Sequence, residues 1–114
     1  MTAMADLLAH ATEFTFYPKD ATFGDQDVHY FTVRVARRST DKWAVLWMNQ
    51  CWNKKTQSWE HESFPSSRTD KFLRNARFPL DEALEIAAGK PDGLTVMGKS
   101  WLDFKALHAL QNKG

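Results

Sequence analysis

The hydrophobic pattern of the chain is densest over residues 42–52. Trp43, Val45 and Trp47 alternate with Ala44, Leu46 and Met48, so both registers are apolar. A run this short and this aromatic reads as a strand buried on both faces. Upstream, Phe31, Val33 and Val35 alternate with Thr32, Arg34 and Ala36, which predicts a half-buried strand over residues 28–38. Ser39, Thr40 and Asp41 supply turn chemistry, and residues 43–52 return as the second strand. A polar turn at 53–56 leads into a third strand over 57–64. Connections this short make antiparallel neighbours, so a meander centred on residues 43–52 is expected. Phe14, Phe16 and Tyr17 form one more short β-type run, stopped by Pro18, and residues 19–27, with Gly24 and three Asp, read as a loop.

A central strand that is apolar on both registers needs cover on both faces, and helices must supply it. Ser67 or Thr69 can cap a first helix running to Ala76, with Phe72, Leu73 and Ala76 as its buried stripe. Pro79 sits where a second helix starts; Asp81, Glu82 and Glu85 occupy its early turns and Gly89 ends it. Leu80, Ala83, Leu84, Ala87 and Ala88 recur on one of its faces. Residues 94–97 follow as a short edge strand. Ser100 then caps a last helix, Asp103 completes a capping box, and Trp101, Phe104 and Leu107 are its core side. The expected fold is α+β: an antiparallel three- to four-stranded meander packed against two to three C-terminal helices. At 114 residues the chain is one domain, with residues 1–12 a marginal helix or flexible end and 112–114 frayed.

Composition changes this picture little. Hydrophobic residues make up 43% and charged residues 25%, as in ordinary globular domains. The net charge of +1 argues against a strongly electrostatic partner for the whole molecule, but residues 34–77 carry ten Lys and Arg against four acids. Arg34, Arg37, Arg38 and Lys42 cluster at the first hairpin, and Arg68, Lys71, Arg74 and Arg77 wind round the exposed side of the first helix. Two readings follow. Either these charges sit on a solvated surface and pair with the acidic ends, or they form an anion or partner contact face. Five Trp accompany them, as stacking platforms for single-stranded nucleic acid or as the large side chains a small domain needs in its core.

The single cysteine, Cys51, cannot form an internal disulfide, and no Cys/His cluster has metal-ligand spacing. No cofactor is expected. The first residues carry no basic leader, and no apolar segment reaches the roughly 20 residues that span a bilayer, so a soluble, cytoplasmic protein with no membrane contact is expected.

Four constellations could carry chemistry. Gly93 to Ser100 satisfies the phosphate-loop pattern, but Leu94, Thr95, Val96 and Met97 favour a strand where such a loop curls, and no buried strand precedes it. Cys51 and His61 lie on adjacent expected strands and could form a nucleophile and base, without any activating neighbour. Glu60 and Glu62 share one strand face, as a carboxylate pair or as the solvent side of an edge strand. Pro65, Ser66, Ser67 and Arg68 could converge on an anion at a helix start, or form a capping turn whose Arg pairs with Glu62 or another acid.

Trp43-Ala44-Val45, Cys51, the run from Trp59 to Arg68 (WEHESFPSSR) and the run from Arg77 to Leu84 (RFPLDEAL) together carry a likeness. Over these middle residues the chain resembles a group of small, largely uncharacterised proteins encoded by actinobacteria and their phages. The resemblance implies an accessory protein of phage origin and a host protein as partner; it supplies no catalytic residues. The expected function is a small non-enzymatic interaction protein that binds a protein partner. The alternative is a nucleic-acid-binding protein using the basic 34–77 region, and a small enzyme is the third reading.

Overall fold

The computed structural model describes residue 7, residues 9–62 and residues 68–112. A five-stranded antiparallel sheet is followed by three helices. The strands are β1 (Glu13–Phe16), β2 (Val33–Ser39), β3 (Lys42–Trp47), β4 (Gln50–Asn53) and β5 (Ser58–His61), and they lie in the sheet in the order of the sequence. The helices are α1 (Asp70–Ala76), α2 (Leu80–Ala88) and α3 (Trp101–Asn112). This is the expected α+β arrangement with a higher strand count. Two differences account for the extra strands. The run around Phe14 pairs with β2, placing Phe14 opposite Val35, and the expected single strand over 43–52 is two strands. Met48 and Asn49 reverse the chain between the paired residues Trp47 and Gln50, with Met48 at φ 53°. A methionine gives no sequence signal for a left-handed turn, so the hairpin was not visible in the pattern.

The strand expected over 28–38 is also shorter. Residues Val28–Phe31 form a 3-10 turn behind Asp27, which sits at φ 63°, and the strand begins only at Val33. The edge strand expected over 94–97 reduces to a single bridge between Val96 and Lys99. The helix expected over 3–11 and the turn at 65–67 fall largely or wholly outside the described residues.

Side-chain alternation divides the sheet into two unequal faces. Val33, Val35, Trp43 and Val45 point to the larger core, where α2 contributes Ala83 and Ala87 and α3 contributes Trp101. Phe31 meets Trp101 and Phe104 edge-on at ring separations of 5.6 and 5.0 Å. Rings buried as fully as Trp43, Phe31 and Phe78 each contribute about 1.5–3 kcal/mol. The opposite face holds a small core of Ala36, Ala44, Leu46 and Cys51, covered by Ala76 and Phe72 of α1.

Local capping follows the sequence closely. Thr69 Oγ1 accepts from Phe72 N at 3.1 Å, and Ser100 and Asp103 exchange backbone donors, Ser100 N to Asp103 Oδ2 at 2.9 Å and Asp103 N to Ser100 Oγ at 3.3 Å. The Ser100 backbone N–H first, and then its hydroxyl, which donates to Asp103 Oδ2 at 3.1 Å, hold the Asp103 carboxyl below its ordinary value. Two expected buried positions are exposed, Ala88 on α2 and Leu107 on α3. His108 takes the place of Leu107 on the packed side, where its Nε2 lies 3.0 Å from Asp27 Oδ2.

The sheet opens between β3 and β4. Their pairing covers Leu46 with Cys51 and Trp47 with Gln50, and beyond it the segment joining α1 to α2 enters beside β3. Trp43 N donates to Phe78 O at 2.8 Å and Phe78 N donates to Trp43 O at 2.9 Å. This wedge carries Phe78 into the larger core and leaves Arg77 by the smaller one.

Candidate functional site

Alternation on β5 puts Glu60 and Glu62 on the face of the smaller core, since Glu60 pairs with the inward Cys51. Glu62 follows the end of β5, and three guanidinium groups converge on its Oε1. Arg38 reaches it from β2, with Nε at 2.8 Å from Oε1 and Nη2 at 3.0 Å from Oε2. Arg68, just ahead of α1, and Arg77, just behind it, each approach Oε1 at 2.9 Å. The Glu62 side chain is 8% exposed, and Arg77, at 4%, also donates Nη1 to Ala76 O at 2.9 Å and lies against the Phe72 ring.

Electrostatics follow from this crowding. Burial acts to raise the Glu62 carboxyl, but the hydrogen bonds and charge of Arg38, with Arg77 and Arg68 behind them, hold it below its ordinary value. Hydrogen bonding to Glu62 raises Arg38 in turn. Burial lowers Arg77, against the pull of Glu62. Among the described residues three guanidinium groups share this one carboxylate.

The eight basic residues singled out from the sequence do not form one face. Arg38, Arg68 and Arg77 come together on Glu62. Arg77 is therefore buried, not on the exposed side of α1, because the wedge turns it inward. Arg37 lies on the opposite face from Arg38, its guanidinium 4.9 Å from the Trp43 ring centroid and its Nη1 bonded to Ala9 O at 3.3 Å. Arg34 pairs with Glu13 at 3.5 Å, with both side chains over 40% exposed. Lys42 and Arg74 line a cleft beside the wedge, and Lys71 lines a second cleft with Lys55, Thr56 and Glu60.

The enzyme-like constellations come apart. Cys51 pairs with Glu60 in register while His61 pairs with Gln50, so Cys51 and His61 point to opposite faces. Cys51 is wholly buried, and burial, then the nearby Glu62 charge, pushes its thiol up to about 11. Glu60, half-buried on the edge strand β5, accepts from Asn53 Nδ2 at 3.0 Å and Thr56 Oγ1 at 3.2 Å; of the two alternate acids only Glu62 is turned away from solvent. In the phosphate-loop match, Met97 and Gly98 form a tight turn at φ 54° and 77°, and Val96 and Lys99 bond to each other across it. Those backbone donors are spent inside a miniature hairpin. The ion pair of Arg68 with Glu62 was legible, whereas the convergence of Arg38 and Arg77 depends on the sheet and wedge. Among the described residues no group of three or more His, Cys, Asp or Glu could hold a metal ion.

All five Trp are buried or half-buried. Trp52 packs edge-on against Trp59 at 5.2 Å, Trp59 packs on Trp47 at 5.6 Å, and Lys90 Nζ lies 3.5 Å from the Trp52 ring centroid. They are core residues, as the small size of the domain requires.

The exposed apolar surface lies elsewhere. On α3, Leu102, Ala106, Ala109 and Leu110 recur at helical spacing and all are exposed, Leu102 at 61% and Leu110 at 67%. The loop of residues 19–27 is tied to the same helix through Lys105 Nζ to Asp20 O at 3.0 Å and through His108 to Asp27, and this loop carries Phe23 at 91% exposure. Of the expected core side of α3, Trp101 and Phe104 pack and Leu107 does not, on a helix with apolar residues on every side.

Among the described residues no helix is long and apolar enough to cross a membrane. Compared with protein-family models, curated proteins and solved structures, the chain matches none.

Proposed function

We propose that the chain is a small non-enzymatic accessory module that binds a protein partner through the outer side of α3. The observation that carries this reading is the exposed stripe of Leu102, Ala106, Ala109 and Leu110 on a twelve-residue helix whose opposite side is packed. Apolar side chains aligned on one helix face are the usual raw material of helix-mediated recognition. The separation of Cys51 from His61 and the engagement of Glu62 by arginines favour binding over catalysis. If the likeness to actinobacterial phage proteins reflects common origin, a host protein is the first partner to try. The test is affinity capture from an actinobacterial extract, then reconstitution with the purified captured protein. A stoichiometric complex that Leu102→Glu with Leu110→Glu weakens at least tenfold, about 1.4 kcal/mol, with near-ultraviolet circular dichroism unchanged, supports the reading. A complex indifferent to both substitutions overturns it.

The alternative, nucleic-acid binding by the basic 34–77 region, draws less support from the geometry. Arg38, Arg68 and Arg77 turn inward on Glu62, and Arg34 and Arg37 are engaged separately. Titration with single- and double-stranded nucleic acid at about 50 and about 200 mM salt decides, because phosphate-dominated affinity collapses between them.

A further inference from the structure

We propose that the cleft between the β2–β3 turn and the end of α1 binds a phosphate monoester, with Lys42 and Arg74 as its ligands. This site is separate from the α3 surface and does not rest on the reading given to that helix. The cleft has a volume of about 240 Å³; its cations are Lys42, Arg74 and Arg77, its acid is Asp41, and Leu73 and Phe78 give it apolar walls. Lys42 and Arg74 are exposed, and neither side chain has an acceptor among the described residues. They approach from different elements, Lys42 from the first residue of β3 and Arg74 from the last turn of α1.

The frame that holds them is fixed. Trp43, next to Lys42, and Phe78, next to Arg77, are locked together by their two backbone hydrogen bonds, so the two walls cannot drift apart without breaking both. Pre-organisation of this kind reduces what a ligand must spend on ordering its site. Arg77 connects the cleft to the Glu62 cluster, where it shares that carboxylate with Arg38. Arg77, which lines the cleft as well as meeting Glu62, is, among the described residues, the one cation the two places share.

Ligand class follows from charge and size. A guanidinium fork with a lysine point charge suits the oxygens of a phosphate, and Lys42, Arg74 and Arg77 against the one acid Asp41 are matched by a dianion better than by a carboxylate. The cleft is smaller than the roughly 300–1,000 Å³ of a drug-sized pocket, enough for one phosphate and a modest attached group. The basic residues do not continue as a stripe for a polymer backbone, since Arg37 lies on the other face and Arg34 is paired with Glu13.

Amide chemical shifts of the full chain, followed during titration with inorganic phosphate, a nucleoside 5′-monophosphate and a single-stranded oligonucleotide at constant ionic strength, test this. Ligand up to about 10 mM detects even a millimolar site. Saturable shifts confined to Asp41, Lys42, Leu73, Arg74 and Phe78 are expected with the first two ligands. Lys42→Ala with Arg74→Ala, both exposed positions, should weaken binding at least tenfold without moving the melting temperature. Absence of saturation, shifts spread equally over Lys19, Lys54 and Lys99, or an unaffected double variant would overturn the proposal. Tight oligonucleotide binding without monophosphate binding would overturn it in favour of a nucleic-acid surface.

Discussion

Arg38 and Glu62 meet fork to fork, at 2.8 and 3.0 Å, although β3 and β4 lie between β2 and β5 in the sheet. The pair therefore joins parts of the sheet that backbone pairing leaves unconnected. Removing one partner from a shielded ion pair leaves the others uncompensated. Glu62→Gln is expected to destabilise the fold by roughly 2–3 kcal/mol, less than a fully buried pair because Arg38 remains partly solvated. Glu13→Gln, which breaks the exposed pair with Arg34, should cost under about 0.5 kcal/mol. Urea denaturation of both variants checks this, and equal costs would contradict the role given to Glu62.

Acid should weaken the protein through the same carboxylate. The folded state holds Glu62 below the ordinary glutamate value, so the ionised form is favoured by folding. Its contribution is complete above about pH 4.5 and is lost as pH falls through the lowered folded value. Asp25, held down first by the Thr22 backbone bond, and Asp103 act in the same direction. The urea midpoint should stay flat from about pH 7 to about pH 5 as far as these groups control it, then fall below about pH 4. Glu62→Gln should shallow that fall; an identical acid profile would sink the assignment.

Cys51 should behave as a sealed thiol. Its side chain is fully buried and its proton is held up to about 11, so Ellman's reagent should react with it only as fast as the protein unfolds. Because folding favours the protonated thiol, the contribution of Cys51 is complete below the unfolded value of about 8.5 and declines as pH rises toward the folded value. Rapid labelling of native protein at neutral pH would contradict this burial.

Met48 offers a gain in stability. It holds φ 53° at the first position of the two-residue turn between Trp47 and Gln50, where glycine is the usual occupant, and its side chain is half exposed. Met48→Gly should raise stability by about 0.5–1 kcal/mol, relief of left-handed strain outweighing the entropy of glycine. Met48→Val should lower it. The order of the two melting temperatures is the check.

The sequence carried the local structure well because capping and alternation are local. The Thr69 and Ser100 caps, the packed side of α2 around Ala83 and Ala87, and the in-and-out order of β2 all follow from residues a few positions apart. Met48 and Asp27 adopt left-handed backbone without glycine, so the turn that divides residues 43–52 and the break ahead of Val33 left little signal. The Glu62 cluster was legible only through Arg68. Arg38 and Arg77 arrive there through the curl of the sheet and the Trp43–Phe78 bridge, which are products of tertiary packing. On α3, apolar residues on every side concealed that His108 packs and Leu107 does not.

The strands lie in the sheet in sequence order, each beside its neighbour in the chain, and this has a kinetic consequence. The pairings from β2 to β5 each close a short loop, while β1 joins β2 across residues 17–32, so the contact order of the β2–β5 meander is low and its assembly should be rapid. The Trp43–Phe78 bridge, the Arg38–Glu62 pair and the clasp of α3 on residues 19–27 join distant segments and should form after the meander. Substitutions at those closures then act chiefly on the rate at which the folded molecule opens. Its lifetime is set by the closures, and its speed of folding by the hairpins.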